Sequence, residues 1–388
     1  MKHACAGWKV EGLLVRGDAC TLTVGACASS RSYPSGCTTN LKSALEGSLV
    51  HTAVVNPLPT VHFPVIAIGA SAGGMEALWA LLAGLPRDLA AAVLVVTHIP
   101  AHSESLLHQV LAMQSALPVK AVDDGEPLRA GWVYVPRADH HLMVDGPVVR
   151  STRGPKECRV RPTINVLFRS VAESCGPRAI GVVLSGMLDD GTAGLWAIKE
   201  RGGWAFVQDP EDALYDSMPL SALEHVAVDG VATAALLASL IEAAVVAASA
   251  AAPASFTGLG LESRLAAGVA RKEDAVYQLG KPSRFACPEC HGVLAEIEEG
   301  SLIRFRCHTG HGYSMQTLAA ELDQEIDDSL WNAARGLEEK VMLIEGASAN
   351  GITPHGGAEL ERVRLRLETL RALLLSSRLE PLTTKLVE

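Results

Sequence analysis

The chain has 388 residues, enough for two or three domains, and its 48% apolar and 20% charged content is that of a globular protein with a substantial core. A formal net charge of −10 argues against general nucleic-acid binding. The longest candidate for a membrane span, residues 231–254, is mostly alanine and is interrupted by Glu242, so it reads as a helix packed on a domain surface and no membrane insertion is expected.

Residues 1–60 mix Ser, Thr, Cys and Gly without a sustained period and read as an unstructured extension or an over-long gene start. No long apolar segment near the start marks a secretory signal. The nine cysteines are therefore expected to be reduced, in a cytoplasmic protein. From 61 to 252 apolar runs alternate with helical runs. Strands are expected near 64–68, 92–97, 119–122, 132–135, 179–184 and 204–207, and helices near 73–83, 103–113, 163–174, 192–201 and 232–248. Such alternation predicts an α/β domain with a doubly wound, mainly parallel sheet. Within it, Asp145-Gly146 between short runs in the stretch 132–150 predicts an inserted β-hairpin.

The first strand runs into Gly69-Ala70-Ser71-Ala72-Gly73-Gly74 and then a helix rich in Ala and Leu. This turn admits three readings: a nucleophile elbow carrying Ser71, a glycine-rich anion cradle at a helix N-terminus, or a tight turn with Ser71 as helix cap. Its company favours the first. In an open parallel sheet, ligands sit beyond the carboxyl ends of the strands. Ser71, His98 and the Asp189-Asp190 pair all follow strand ends there. A base to take the serine proton and a carboxylate to orient the imidazolium make a triad. By spacing alone Asp189 is as good an acid as Asp190, and His102, His108, His140 and His141 compete with His98 as base.

The segment from Val65 to about Ile241 resembles the catalytic domain of chemotaxis protein-glutamate methylesterase, CheB. The resemblance rests on motifs in order: Ile68-Gly-Ala-Ser-Ala-Gly-Gly74, Val96-Thr-His-Ile-Pro100, Val133-Tyr-Val-Pro136 with His141-Leu142, the run 161–172, Leu184-Ser-Gly-Met-Leu-Asp-Asp-Gly191, and the run 208–219. It implies Ser71 as nucleophile, His98 as general base and Asp190 rather than Asp189 as the third member. It further implies an oxyanion site at the backbone N–H of Met187, with that of Ala72 retained although the family usually has threonine there. The implied reaction is hydrolysis of γ-glutamyl methyl esters of chemoreceptors, with glutamine deamidation in some members. The implied partners are a methylated chemoreceptor or a related signalling protein, alongside a CheR-type methyltransferase. No cofactor is implied for catalysis. Residues 1–60 are too short for the receiver domain that usually precedes this one, so a stand-alone protein without a receiver is expected. The rival readings are a catalytically silent regulatory protein of the same fold and, last, a nucleotide-binding α/β protein, for which no Walker lysine is present.

Residues 253–282 read as a linker with some helix. In 283–313, Cys287-Pro-Glu-Cys290 and Cys307-His308-Thr-Gly-His311 have the spacing of a zinc-ribbon-like module. Cys287, Cys290, Cys307 and His311 are the expected ligands of a structural Zn²⁺, with His308 and His291 as alternatives for the fourth position. Four protein ligands would leave no open position for chemistry. Residues 314–388 predict a helical hairpin, broken near Gly351-Ile-Thr-Pro354.

Overall fold

In a computed structural model, residues 60–98, 106–270, 276–349 and 356–377 are described. The expected extension 1–60 lies outside them but for Thr60, as do Ile99, Pro100 and His102. Among the described residues, ten strands belong to the α/β part: β1 (Val65–Ala70), β2 (Ala92–Thr97), β3 (Val119–Ala121), β4 (Glu126–Pro127), β5 (Val133–Val135), β6 (His141–Asp145), β7 (Val148–Thr152), β8 (Ala179–Val183), β9 (Trp204–Gln208) and β10 (Gly230–Ala232). Seven of them form one sheet in the order β10-β9-β8-β1-β2-β5-β3, and every pairing in it is parallel.

Helices cover both faces, as a parallel sheet requires. They are α1 (Gly74–Gly84), α2 (Leu107–Ala112), α3 (Ile164–Cys175), α4 (Thr192–Glu200), α5 (Ser217–His225) and α6 (Ala234–Ala250). The period of two along β1 divides its side chains between two cores. Val65 and Ala67 join Leu167, Phe168, Leu195 and Ala222 of α3, α4 and α5. Ile66, Ile68 and Ala70 join Leu78, Leu111 and Ile241 of α1, α2 and α6. Each fully buried Ile or Leu contributes roughly 1.5–3 kcal/mol.

The expected hairpin is present but starts later than the sequence suggests. Val133–Val135 lies inside the main sheet between β2 and β3, and the antiparallel pair is β6–β7, turning at Asp145 and Val148, with β4 as third strand. The two shortest additions, β4 and β10, and the helix α5 had no clear periodic signal. They are held by neighbouring strands rather than by their own pattern.

Beyond α6, a short helix α7 (Leu261–Ala266) leads to a second sheet, β11 (Lys281–Ala286), β12 (Val293–Glu299), β13 (Leu302–Cys307) and β14 (Gly312–Ser314), antiparallel throughout in that order. Two helices follow, α8 (Met315–Ala349) and α9 (Gly356–Ser377). They pack through Ala334, Leu367 and Leu374, so they form a hairpin. Part of the segment expected as a linker is packed: Ala266 joins Met143 and Val166, while Leu265 joins Ala295 of β12.

Candidate active site

β1 lies between β2 and β8 in register, with Ala70 opposite Thr97 and Gly69 opposite Val183. Residues that follow these three strands therefore meet at one edge of the sheet. Ser71 leaves β1 there, its N–H donating to the Ser185 carbonyl at 2.9 Å. The turn closes with Gly74 N–H donating to Ser71 O at 3.0 Å. Gly73 has φ 66° and faces Leu214 so closely that a Cβ would lie 2.7 Å from the leucine Cβ. A left-handed backbone and a close neighbour both select glycine at that position.

Ser71 Oγ is 2.8 Å from His98 Nδ1, and His98 Nε2 is 2.8 Å from Asp190 Oδ2. An ionised carboxylate only accepts hydrogen bonds, so Nε2 carries the ring proton and Nδ1 is left as acceptor for the serine hydroxyl. Asp190 is 3% exposed, while Ser71 and His98 are half-buried and reachable. Of the competing histidines, His140 Nδ1 bonds to Ala138 O, and His141 bonds to Pro155 O and Thr163 Oγ1. Burial holds the His141 imidazole down at about 4, so it is neutral.

What fixes Asp190 was not foreseen from the sequence. Its Oδ2 also accepts the Ile164 N–H at 2.8 Å and its Oδ1 the Asn165 N–H at 3.0 Å. The carboxylate therefore caps the N-terminus of α3, where the helix dipole favours negative charge. In return Asn165 Oδ1 accepts the N–H groups of Gly191 and Gly194 at 3.1 and 2.7 Å, capping α4. Asn165 was visible in the run 161–172, but nothing in one sequence pairs it with a residue twenty-five positions away.

Asp189 is close by and differently held. Its Oδ1 accepts the Ser314 hydroxyl at 2.8 Å, from the C-terminal region of the chain. Burial raises its carboxyl to about 6, and the neighbouring Asp190 charge adds to the shift.

The loop carrying Met187 is pinned beside Ser71. Ser185 N–H donates to Gln208 Oε1 at 2.8 Å, Ser185 Oγ accepts the Tyr215 N–H at 2.9 Å, and Gly186 N–H donates to Tyr215 O at 3.0 Å. A Cβ on Gly186 would lie 2.1 Å from Met218 Sδ and 2.8 Å from Ser71 Cβ, so the loop approaches the serine as only glycine permits. Leu188 has φ 62°, an unusual conformation for a branched residue and one that clusters at functional sites. The N–H groups of Ala72 and Met187 donate to no protein acceptor among the described residues. Ser185 and Gln208 were missed as supports because their roles exist only across loops.

A second cluster lies in the four-stranded sheet. The ligand atoms of Cys287, Cys290, Cys307 and His311 all fall within 4.8 Å of one another. Cys290 and Cys307 Sγ are 3.5 Å apart, and Cys287 Sγ is 3.6 Å from His311 Nδ1. A tetrahedral Zn²⁺ with bonds of about 2.3 Å to sulfur separates its ligands by roughly 3.7 Å, so these residues fit that ion. The alternative His308 lies against Gly292.

A family model described as CheB methylesterase matches residues 66–241. A protein-glutamate methylesterase/protein-glutamine glutaminase of Methanosarcina mazei is 40% identical over 163 residues, which are 40% of this chain and 44% of that protein. A shorter relative from Leptospira interrogans is 35% identical over 181 residues, 46% of this chain and 94% of its own length. The crystal structure of the Thermotoga maritima CheB methylesterase catalytic domain aligns over 47% of this chain and 99% of its own, with 30% identity and a TM-score of 0.45. The chain thus spans less than half the length of the first of these relatives and nearly all of the shorter one. With strand-end Ser71, His98 and Asp190 lying inside the matched segment, the chain belongs to the CheB methylesterase family.

Proposed function

We propose that the protein is a serine hydrolase that cleaves γ-glutamyl methyl esters on methylated chemoreceptors or related signalling proteins. The observation that carries this reading is the unbroken chain from Ser71 Oγ through His98 to Asp190, with 2.8 Å at both contacts. His98 Nδ1 takes the Ser71 proton as Oγ attacks the ester carbonyl, and Asp190 stabilises the imidazolium. The N–H groups of Ala72 and Met187 receive the developing oxyanion, each such donor contributing about 3 kcal/mol in comparable enzymes. His98 returns its proton to the departing methoxide, which leaves as methanol. A glutamyl–serine ester remains, and water hydrolyses it with His98 again as base. A glutamine side chain would follow the same route with ammonia as leaving group, in keeping with the second activity in the name of the Methanosarcina mazei relative.

The reaction uses no cofactor in this scheme. Cys287, Cys290, Cys307 and His311 would hold Zn²⁺ as a structural cross-link, with no ligand position left for substrate. No described helix is long and apolar enough to cross a membrane, in keeping with a cytoplasmic enzyme that meets receptors at their cytoplasmic helices and works opposite a CheR-type methyltransferase.

The test is methanol release from a methylated chemoreceptor. The purified protein is expected to release methanol, and Ser71→Ala to release none. Equal release by both would remove Ser71 from the mechanism. No release by either, with the fold verified, would favour the silent regulatory reading.

A further inference from the structure

Ser314 belongs to the C-terminal region, yet its hydroxyl reaches the residue beside the triad carboxylate. The Ser314–Asp189 contact is 2.8 Å, and Asp189 is nine-tenths buried. Ser314 is also the N-cap of the 35-residue α8: Thr317 N–H donates to Ser314 Oγ at 3.0 Å, and Ser314 N–H donates to Thr317 Oγ1 at 2.8 Å. Adjacent acidic residues thus point to two different helix N-termini, Asp190 to α3 and Asp189 to α8. Each helix end offers a partner to one carboxylate, which keeps two buried like charges apart on consecutive residues.

The strand that delivers Ser314 is fixed from both sides. β14 starts at Gly312, next to His311 of the Cys3His cluster. On the α/β side, Cys158 N–H donates to Gly312 O at 2.7 Å and Gly312 N–H donates to Lys156 O at 3.2 Å. On the other side β14 pairs with β13, which carries Cys307 and the buried Arg306. Arg306 joins Glu157 of the α/β part to Glu262 of α7.

We propose that Ser314 is a positioning residue for the triad: through Asp189 it holds the 185–191 loop in place, so that metal occupancy of the Cys287, Cys290, Cys307 and His311 cluster sets the reactivity of Ser71. This rests on the proposed esterase mechanism. Loss of the metal frees the two turns that end β11 and β13, releases β14 and leaves Asp189 buried without its side-chain donor. The loop that carries Met187 and leads into Asp190 then loses its outer support.

The experiment takes the full zinc-loaded chain and measures the rate at which a fluorophosphonate labels Ser71, with backbone amide exchange across residues 184–192 on the same samples. Ser314→Ala and Asp189→Ala are each expected to slow labelling about tenfold, the scale of one hydrogen bond to a charged group. Exchange in the loop should quicken in both. The double variant should be no slower than Ser314→Ala, because both substitutions remove the same Ser314–Asp189 contact. Ser314→Thr, which keeps hydroxyl and cap, should restore the rate. Stripping zinc from the wild type with a chelator should reproduce the slowing and the faster exchange, and should add nothing to Asp189→Ala. Wild-type labelling and exchange in Asp189→Ala would overturn the proposal, since that variant leaves the α8 cap untouched. Losses that multiply in the double variant would overturn it too, leaving Ser314 as a cap alone. If wild-type Ser71 resists the phosphonate, the esterase reading fails, and the exchange data by themselves decide whether Ser314 supports the loop.

Discussion

Asp190 accepts three hydrogen bonds, from His98, Ile164 and Asn165, and that number explains why the side chain is both buried and held in one orientation. Asp190→Asn replaces an acceptor by an amide that must present N–H groups to at least one of these donors. The histidine then turns to the wrong tautomer, and kcat for methanol release is expected to fall by about 10³–10⁴ with the circular-dichroism spectrum unchanged. A fall of less than tenfold would mean that Asp190 acts as a helix cap only. Asp189, one residue earlier, carries an opposite signature. Its carboxyl rises from 3.8 to about 6 on folding through burial, so between these values the folded state binds more protons than the unfolded. Its contribution to stability therefore falls as pH rises from about 4 to 6, and is least favourable above 6. Asp189→Asn keeps an acceptor for Ser314 and removes the charge. Denaturant titrations should show it more stable than wild type at pH 8, and the two should converge near pH 4.

Among the elements, the most informative are the short ones. The 185–191 loop is placed by Ser185, Gln208 and Tyr215 and admits no side chain at Gly186. Gly186→Ala must displace Met218 or Ser71, so labelling of Ser71 by a phosphonate is expected to be lost, whereas Ala at exposed Gly336 in α8 meets nothing and should raise stability slightly. β13 carries the charged side of the junction with the α/β part. Arg304 and Arg306 bond to Glu262, Arg306 also reaches Glu157, and Arg169 of α3 meets both glutamates at 3.2–3.3 Å. Burial pushes the Glu157 carboxyl up, but the Arg169 and Arg306 charges outweigh it and hold it at about 2. For Glu262 the arginines likewise overcome burial and keep it well below the usual range. Depressed carboxyls stabilise the fold above the unfolded value of 4.5 and lose that contribution as pH falls from there towards 2. Arg306→Met would leave two buried carboxylates short of a partner and is expected to cost about 3–5 kcal/mol in denaturant melts at pH 7, with a smaller deficit near pH 3.

On the scale of the molecule, α7 and β14 join the four-stranded sheet to the α/β part. Thr152 Oγ1 donates to Ala266 O at 2.9 Å, and Gly154 lies so close to that carbonyl that a Cβ would be 1.8 Å from it. Buried ions, apolar contacts and backbone hydrogen bonds at this junction are expected to couple the unfolding of the two parts. Calorimetry of the zinc-loaded protein is expected to give one transition for these parts. Chelation should split off an early transition from the four-stranded sheet, because a structural metal held by Cys287, Cys290, Cys307 and His311 would contribute folding energy directly. Separate melting with zinc still bound would show the junction to be weak.

The strand–helix alternation, the turn around Ser71 and the paired Cys-His knuckles could be read along the chain, because each depends on neighbours within a few residues. Period-two apolar runs, glycines where a backbone must turn, and ligand spacings are local properties. Choosing among the histidines and between the aspartates is not local. Only the pairing of β1 between β2 and β8 brings Ser71, His98 and Asp190 to one edge. Spacing alone left Asp189 and Asp190 equal, and the structure separates them by their partners, the α3 N-terminus for one and Ser314 for the other. The same holds for Asn165, Gln208 and the Arg169–Glu262–Arg306 cluster. These are polar groups whose burial is tolerable only once a partner from a distant segment has arrived, and one sequence carries no record of which segment that is.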